Sequence, residues 1–490
     1  MSVSSVFHVV GRLCLVYAGL LLLPLVVLLV DGDFLVGENV SPTGIGFFVA
    51  SAISAALGAT LVYSCSMHRE EFDFEEGFAV VTFGWLAFMA LGTIPYVWAG
   101  AIESLLDAMF ETLSGLTTTG ATILADPASI GRPLLFWRSL THWVGGMGVV
   151  ALAIAILPAL GAGGNFLYRA EVSEAKSDRQ FPRVADVAKL LWSIYVGLTV
   201  AEIVALRIAG MSWFDAVCHS FSTVATGGFG TRPDSLESFS PTIQWVVTVF
   251  MFLAGLNYVL LFRAVLGRPL ALLKSTEART WVGVLVTGMA LGCVVLHSLN
   301  SAPEGLEPLF RSVAFTVVSI SSTTGFSTTD FNFWPASLQV MLLLLMVGGA
   351  CAGSTSGSAK MSRHLMWAKS AVRELKRLLR PTAIFVVKVE GRVVSDGIVQ
   401  KSVAFLLFYI GAVCLGTLLL TLLGVAGEES LTSMISCLSG VGPGLGTVGP
   451  TGNYAAVPDG GKLVLMAVML LGRLEFFAVL VLFSPLAWRR

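Results

Sequence analysis

Nine runs of roughly twenty apolar residues leave this chain few folds to choose from. They lie near 7–30, 43–64, 78–101, 133–159, 186–210, 242–266, 280–302, 403–426 and 462–486. The hydrocarbon core of a bilayer is about 30 Å thick and takes about 20 helical residues to cross, so each run reads as a transmembrane helix. A shorter run begins near 336. Composition agrees: 55% of the 490 residues are hydrophobic and 12% are charged, about half the roughly 25% charge of a soluble domain. The 51 glycines fit a chain whose helices pack closely or whose backbone must leave helical geometry. A formal net charge of -1 gives no reason to expect a nucleic-acid partner.

The first run could pass for a signal peptide. Its apolar stretch from Leu13 to Val30 is long, however, and acidic Asp31 and Asp33 follow without a small-x-small cleavage site, so it reads as a retained anchor. Basic residues set the sidedness. Arg169, Lys176, Arg179, Arg183 and Lys189 follow the fourth span. Arg263, Arg268, Lys274 and Arg279 follow the sixth, and nine more lie between Lys360 and Arg392. The intervening loops carry one each: Arg132, Arg232 and Arg311. This places the basic loops, both termini and the Arg489-Arg490 tail in the cytoplasm of a bacterial inner-membrane, multi-pass protein. The acidic loop 68–76 sits on the same side by count. Seven scattered cysteines without CxxC spacing and six histidines without helical pairing suggest neither a disulfide framework nor a zinc site, and no cofactor is expected.

After the first two helices, every loop assigned to the outer side holds a short stretch rich in Ser, Thr and Gly: LSGLTTTGAT, FSTVATGGFG, VSISSTTGFS and LSGVGPGLG. Aligned on Gly120, Gly228, Gly325 and Gly442, each has a serine six residues earlier: Ser114, Ser222, Ser319 and Ser436. Two residues before the glycine stand Thr118, Thr226, Thr323 and, in the last, Gly440. Thirteen before stand Asp107, Asp215, Ser312 and Glu429. The choice of Gly228 over Gly227 rests on the serine register. The anchors are 108, 97 and 117 residues apart, each interval holding two spans and a basic loop. This predicts an all-α membrane protein in which a helix, re-entrant hairpin, helix unit repeats four times in parallel behind two extra transmembrane helices. The divisions fall at 1–70, 71–165, 166–275, 276–395 and 396–490.

About twelve residues precede each serine, a helix of about 18 Å that is too short to cross. Asp107, Asp215 and Ser312 suit its N-terminus as caps, and Glu429 favours the positive end of its dipole. The negative end then points to the membrane centre, where it stabilises a cation. The chain must return outward in extended form, and its carbonyls are tolerated at that depth only along a hydrated path. Glycine lets successive carbonyls turn to one side, and four such strands make a ring of oxygens that can replace an ion's water shell. The plain alternative is four polar loops with ordinary Ser, Thr and Gly turns.

These stretches, with HSFSTVATGGFGT, GACAGSTSGSAK and LLGRLEFFAVLVLFSP, resemble the Trk/Ktr/HKT superfamily of potassium transporters over nearly the whole chain. The two extra N-terminal helices are similar to the Trk-type membrane subunit. The resemblance implies four M1–P–M2 units around a single central pore, with K+ as the transported ion and no catalytic role. It implies a filter at Thr118, Thr119, Gly120, Thr226, Gly227, Gly228, Thr323, Thr324, Gly325, Gly440, Val441 and Gly442, with K+ held at Thr118, Thr226, Thr323 and Val441. Filter glycine in all four units accompanies potassium preference in that family, and serine in the first accompanies sodium permeation. Gly120 therefore favours potassium. The fourth filter, GVGPG, departs by lacking threonine and introducing Pro443.

The run from Ala336 is apolar only to Val347 and then becomes GGACAGSTSGSAK. Twelve helical residues rise about 18 Å, so the break falls inside the membrane and must line the pore or be buried in protein, unless it is a plain cytoplasmic linker. The resemblance implies an intramembrane loop obstructing the path, with Gly348, Gly349, Gly353, Ser354, Thr355, Ser356 and Gly357 as its gate residues. The GSTSG run mimics a GxSxG elbow, but its centre is threonine and no strand precedes it. Arg473 lies in the middle of the last span, where a charge costs about 2.5–3.5 kcal/mol. By resemblance it is an electrostatic barrier beside the loop; alternatively it pairs with Glu475 or Glu202. The basic stretch 360–392 obeys the positive-inside rule or, by resemblance, docks a cytoplasmic nucleotide-binding (RCK-type) regulatory subunit. A homodimer is also implied. The chain itself has neither GxxxxGK[ST] nor a GxGxxG after a strand. A sodium or mixed-cation transporter on the same fold is the alternative function, and a secondary transporter of an organic solute is a more distant one.

Overall fold

The computed structural model describes residues 3–33, 35–36, 39–65, 74–156, 184–299, 305–474, 476, 479 and 482. The basic residues Arg169, Lys176, Arg179 and Arg183, most of the acidic 68–76 loop, Glu475 and the Arg489-Arg490 tail lie outside them. The first run forms α1 (Val3–Leu20) and α2 (Pro24–Asp31), interrupted where Pro24 opens the second piece without an N–H to donate. Then come α3 (Pro42–Ser64), α4 (Phe74–Trp98), the short α5 (Leu105–Leu116) and α6 (Arg132–Ile156). The next group is α7 (Val184–Ile208), the short α8 (Trp213–Val224), α9 (Pro241–Gly255), α10 (Tyr258–Val265) and α11 (Leu270–Lys274). It is followed by α12 (Thr276–Ser298), α13 (Leu306–Ser321), α14 (Ala336–Gly348) and α15 (Met361–Leu379). The chain closes with α16 (Asp396–Leu422), α17 (Gly427–Ser439) and α18 (Asp459–Leu474). Strand structure among the described residues is confined to two hairpins of two-residue strands.

Among the described residues, six helical segments are long and apolar enough to cross a membrane: α1 with α2, α3, α4, α7, α12 and α16. Their outward faces are apolar, with Leu407, Ile410, Leu415 and Val286 more than half exposed, as lipid-facing surfaces should be. Close helix approach uses glycine: a Cβ on Gly58 would stand 2.7 Å from the carbonyl of Gly11 across the α1–α3 crossing.

The sixth span departs from its expected straight course. Residues 242–266 are not one helix; α9 and α10 are bent by 109° at Leu256-Asn257. Asn257 causes the turn, accepting from the N–H groups of Val259 and Leu260 and so capping α10. Its Nδ2 donates to the carbonyl of Ala352, in the segment that follows α14. Two breaks in neighbouring elements therefore satisfy one another's backbone.

The short helices also differ in their caps. Ser104 and Ser212 cap α5 and α8, accepting from the N–H groups of Asp107 and Asp215; the two aspartates sit in the first turn. The third short helix starts after Gly305 (φ 101°) and runs 16 residues, so Ser312 lies within it rather than at its end. Glu429 lies in the first turn of α17 and accepts from the N–H of Thr447.

Candidate functional site

Each short helix ends in the same way. Thr118, Thr226 and Thr323 take left-handed φ values of 52°, 56° and 62°, and Gly440 takes 70°. The following N–H, of Thr119, Gly227, Thr324 or Val441, reaches back to the carbonyl of Ser114, Ser222, Ser319 or Ser436 at 2.8–3.0 Å. This is a Schellman-type closure, and it explains the serine column through main-chain geometry. Glycine normally fills the left-handed position, and a β-branched residue there costs about 1–3 kcal/mol of strain. Three threonines hold it nonetheless, each at the point where the chain leaves its helix.

Two residues later the backbone turns left-handed again, at Gly120 (φ 77°), Gly228 (81°), Gly325 (81°) and Gly442 (100°). The four segments close on one another. A Cβ on Gly120 would strike the carbonyl oxygen of Gly227; on Gly228, that of Thr324; on Gly325, that of Val441; on Gly442, that of Thr119. Each approach is under 3.0 Å, and each partner is the residue just before the next glycine. The order 1-2-3-4-1 is a ring. Gly120, Gly228, Gly325 and Gly442 line one cleft together. Gly227 does not occupy the ring position; its absent Cβ faces the His142 ring.

The segment 349–360 lies against the helix ends that carry this ring. Gly348 ends α14, and Gly349 turns out of it at φ 63°. Gly353 packs on the Asn257 amide, where a Cβ would come within 2.8 Å. Ser354 Oγ donates to the Cys351 carbonyl at 2.6 Å and pairs with Ser356 Oγ at 2.8 Å. Thr355 Oγ1 donates to the carbonyl of Val224, the last residue of α8. The N–H of Gly357 donates to Thr323 Oγ1 at 2.7 Å, and a Cβ on Gly357 would strike the carbonyl of Ser439 at the end of α17. Ser354, Thr355 and Ser356 are buried. The segment thus touches three of the four short helices at their C-terminal ends.

Arg473, 7% exposed, completes the arrangement. Its Nη1 donates to the carbonyl of Thr355 at 3.0 Å and its Nη2 to the carbonyl of Gly145 at 3.2 Å. Gly145 in turn packs directly on the carbonyl of Leu116 at the end of α5. Among the described residues no ion pair involves Arg473, so Glu202 is not its counter-ion; Glu475 lies outside them.

A family model described as "Cation transport protein" (TrkH) matches residues 44–488. The chain belongs to the TrkH family. It is 39% identical over 493 residues to the Trk system potassium uptake protein TrkH of Salmonella typhimurium, and 38% identical to that of Escherichia coli K12, covering all of both chains in each case. The crystal structure of the potassium transporter TrkH from Vibrio parahaemolyticus superposes with a TM-score of 0.90 at 34% identity, again over the full length of both. TrkH-family members are membrane transport proteins, and this places the helices, the ring and the 349–360 segment of the present chain in a transport setting.

The sequence reading did not single out Glu111, Arg138 or Tyr454. Arg138 Nε donates to Glu111 Oε1 at 2.5 Å with both side chains buried. Tyr454 Oη donates to the carbonyl of Gly442 at 2.8 Å. The available signal was a charge inside each of two apolar helices, α5 and α6.

Proposed function

We propose that this protein takes up potassium across the bacterial inner membrane, through a pore whose filter is the four-glycine ring. The observation that carries the reading is the ring closure: four left-handed glycines, each seated against the carbonyl of the next segment. Backbone carbonyls held in register are the means by which a protein replaces the water shell of a monovalent cation. Four short helices ending at the ring add the negative ends of their dipoles. The TrkH relatives carry potassium uptake in their names, and the chain carries glycine at all four ring positions.

In this reading the chain is four M1–P–M2 units around one pore behind two additional helices. Thr118, Thr226, Thr323 and Val441 supply carbonyl oxygens to K+. The 349–360 segment is a plug below the filter, and Arg473 both pins it and repels cations. The basic stretch 360–392 faces the cytoplasm and offers a docking surface to an RCK-type regulatory subunit, and the working unit is a homodimer. Uptake of rubidium, potassium and sodium by cells lacking their own potassium systems tests the function. Potassium and rubidium uptake that sodium competes with poorly is expected; equal sodium uptake would replace this reading with a mixed-cation transporter.

A further inference from the structure

We propose that Glu111 and Arg138 are positioning residues for ion discrimination, together fixing both flanks of the first ring segment. The inference rests on the reading of the ring as a filter.

The four seams of the ring are held by different chemistry. Between the second and third segments, the N–H of Leu236 donates to the carbonyl of Ser327. Between the third and fourth, Asn332 bonds both the N–H and the carbonyl of Gly446. Between the fourth and first, the N–H of Tyr454 donates to the carbonyl of Thr122 at 2.8 Å. Between the first and second, the seam is a buried ion pair. Arg138 Nη1 donates to the carbonyl of Gly230 at 3.0 Å, and its guanidinium lies 3.6 Å from the centre of the Phe229 ring. These two residues immediately follow Gly228.

Glu111 reaches the other flank of the same segment. Its carboxylate accepts from Thr122 Oγ1 and from the N–H of Ile123, both at 3.0 Å. Thr122 is the residue whose carbonyl joins the fourth segment. One carboxylate therefore anchors the first segment just beyond Gly120 while its arginine anchors the second just beyond Gly228. The seam lies where Gly120 meets the Gly227 carbonyl, so a shift of either anchor changes the spacing of the oxygens there.

The fourth and first units are also joined by an ion pair, Lys462 with Asp107, but its aspartate side chain is 23% exposed and neither residue bonds a ring segment; the fully buried pair is confined, among the described residues, to the first unit. Nine residues before the ring glycine the other three units carry His219, Thr316 and Ser433 in place of Glu111; at the seventh position of the helix after the ring, where α6 carries Arg138, they carry the buried Val247, Leu342 and Leu465. Helix packing alone does not require the pair, because three of four units pack without it. A buried ion pair is a poor source of net stability but a directional constraint, and removing one partner strands the other charge.

The test uses the full-length protein in proteoliposomes, reading rubidium flux and the potassium-over-sodium ratio per inserted protein. Three variants are compared with wild type. Glu111→Gln with Arg138→Gln removes both charges but leaves amides able to bond. Arg138→Lys keeps the charge and loses the fork to Glu111 and Gly230. Thr316→Val alters the same position in the third unit. We expect the ratio to fall by about tenfold in the double variant, equivalent to about 1.4 kcal/mol, to fall less in Arg138→Lys, and to stay at the wild-type value in Thr316→Val. If the double variant fails to insert, Arg138→Lys alone decides. A wild-type ratio in the inserted variants, or an equal fall in Thr316→Val, overturns the proposal. Absence of discrimination in the wild type overturns the filter reading itself, which separates the two failures.

Discussion

Arg473 holds the carbonyl of Thr355 at 3.0 Å, joining the last described helix to the segment beneath the ring. The same Thr355 bonds the end of α8 through its hydroxyl, so one residue links an arginine on α18 to the second short helix. The arginine's other partner is a carbonyl as well. Among the described residues, losing Arg473 leaves no carboxylate stranded, and the segment above it loses a clamp and a fixed positive charge.

Arg473→Ala should therefore raise basal rubidium flux in proteoliposomes without a regulatory partner, because a fixed charge in a low-dielectric path opposes cation entry. Shortening the segment across Ala352–Ser356 should do the same, and the two changes together should be less than additive. Lower flux in both variants with normal insertion would remove the gate from the account.

Asn257 closes the break in the sixth span and grips Ala352. Asn257→Ala should cost about 1–2 kcal/mol by loss of the cap and, if the 349–360 segment is the proposed plug, should raise basal flux, since its root loses an anchor. A thermal melt alongside the flux assay checks both. A destabilised protein with unaltered flux would show that Asn257 shapes the helix bend alone.

Thr323 combines left-handed backbone with a hydroxyl that accepts from the N–H of Gly357. Thr323→Val keeps the branched shape and removes the acceptor, leaving a partly buried donor unpaired at about 1 kcal/mol. The expected result is a leakier closed state, read as flux without activator. Unchanged leak would mean that Gly357 finds another partner.

Gly227 and Gly228 are both intolerant of a Cβ, but for different reasons. Gly228 is left-handed and meets main chain; Gly227 meets the imidazole of His142. Transport lost in Gly227→Ala should be regained in part when His142→Ala is added, whereas Gly228→Ala should not be rescued by any side-chain change. Rescue of Gly228→Ala by His142→Ala would shift the ring by one residue.

The parts of this architecture written in local pattern were legible in the sequence. Apolar length marked the spans, and the glycine and serine columns brought together the residues the ring unites, because the helix closure repeats at fixed spacing in each unit. The break after Val347 was visible because apolar residues stop there. The bend at Asn257 was not, since one uncharged asparagine barely changes an apolar run of that length. Ser104 and Ser212 are the caps, although the aspartates three residues on fit a capping pattern equally well, because cap position depends on where the helix begins and composition alone leaves that open by a turn. Glu111 and Arg138 are 27 residues apart, and nothing in either helix announces its partner.

Gly120 offers the most direct test of the central claim, that the ring is a potassium-selective filter. At φ 77° and against the carbonyl of Gly227, a serine there forces the oxygens of one quarter of the ring out of register. The measurement is the potassium-over-sodium ratio of Gly120→Ser and wild type in the same proteoliposomes, normalised to inserted protein. The account predicts a wild type that strongly prefers potassium and a variant whose ratio falls by more than its total flux. A correctly inserted variant with the wild-type ratio would contradict it.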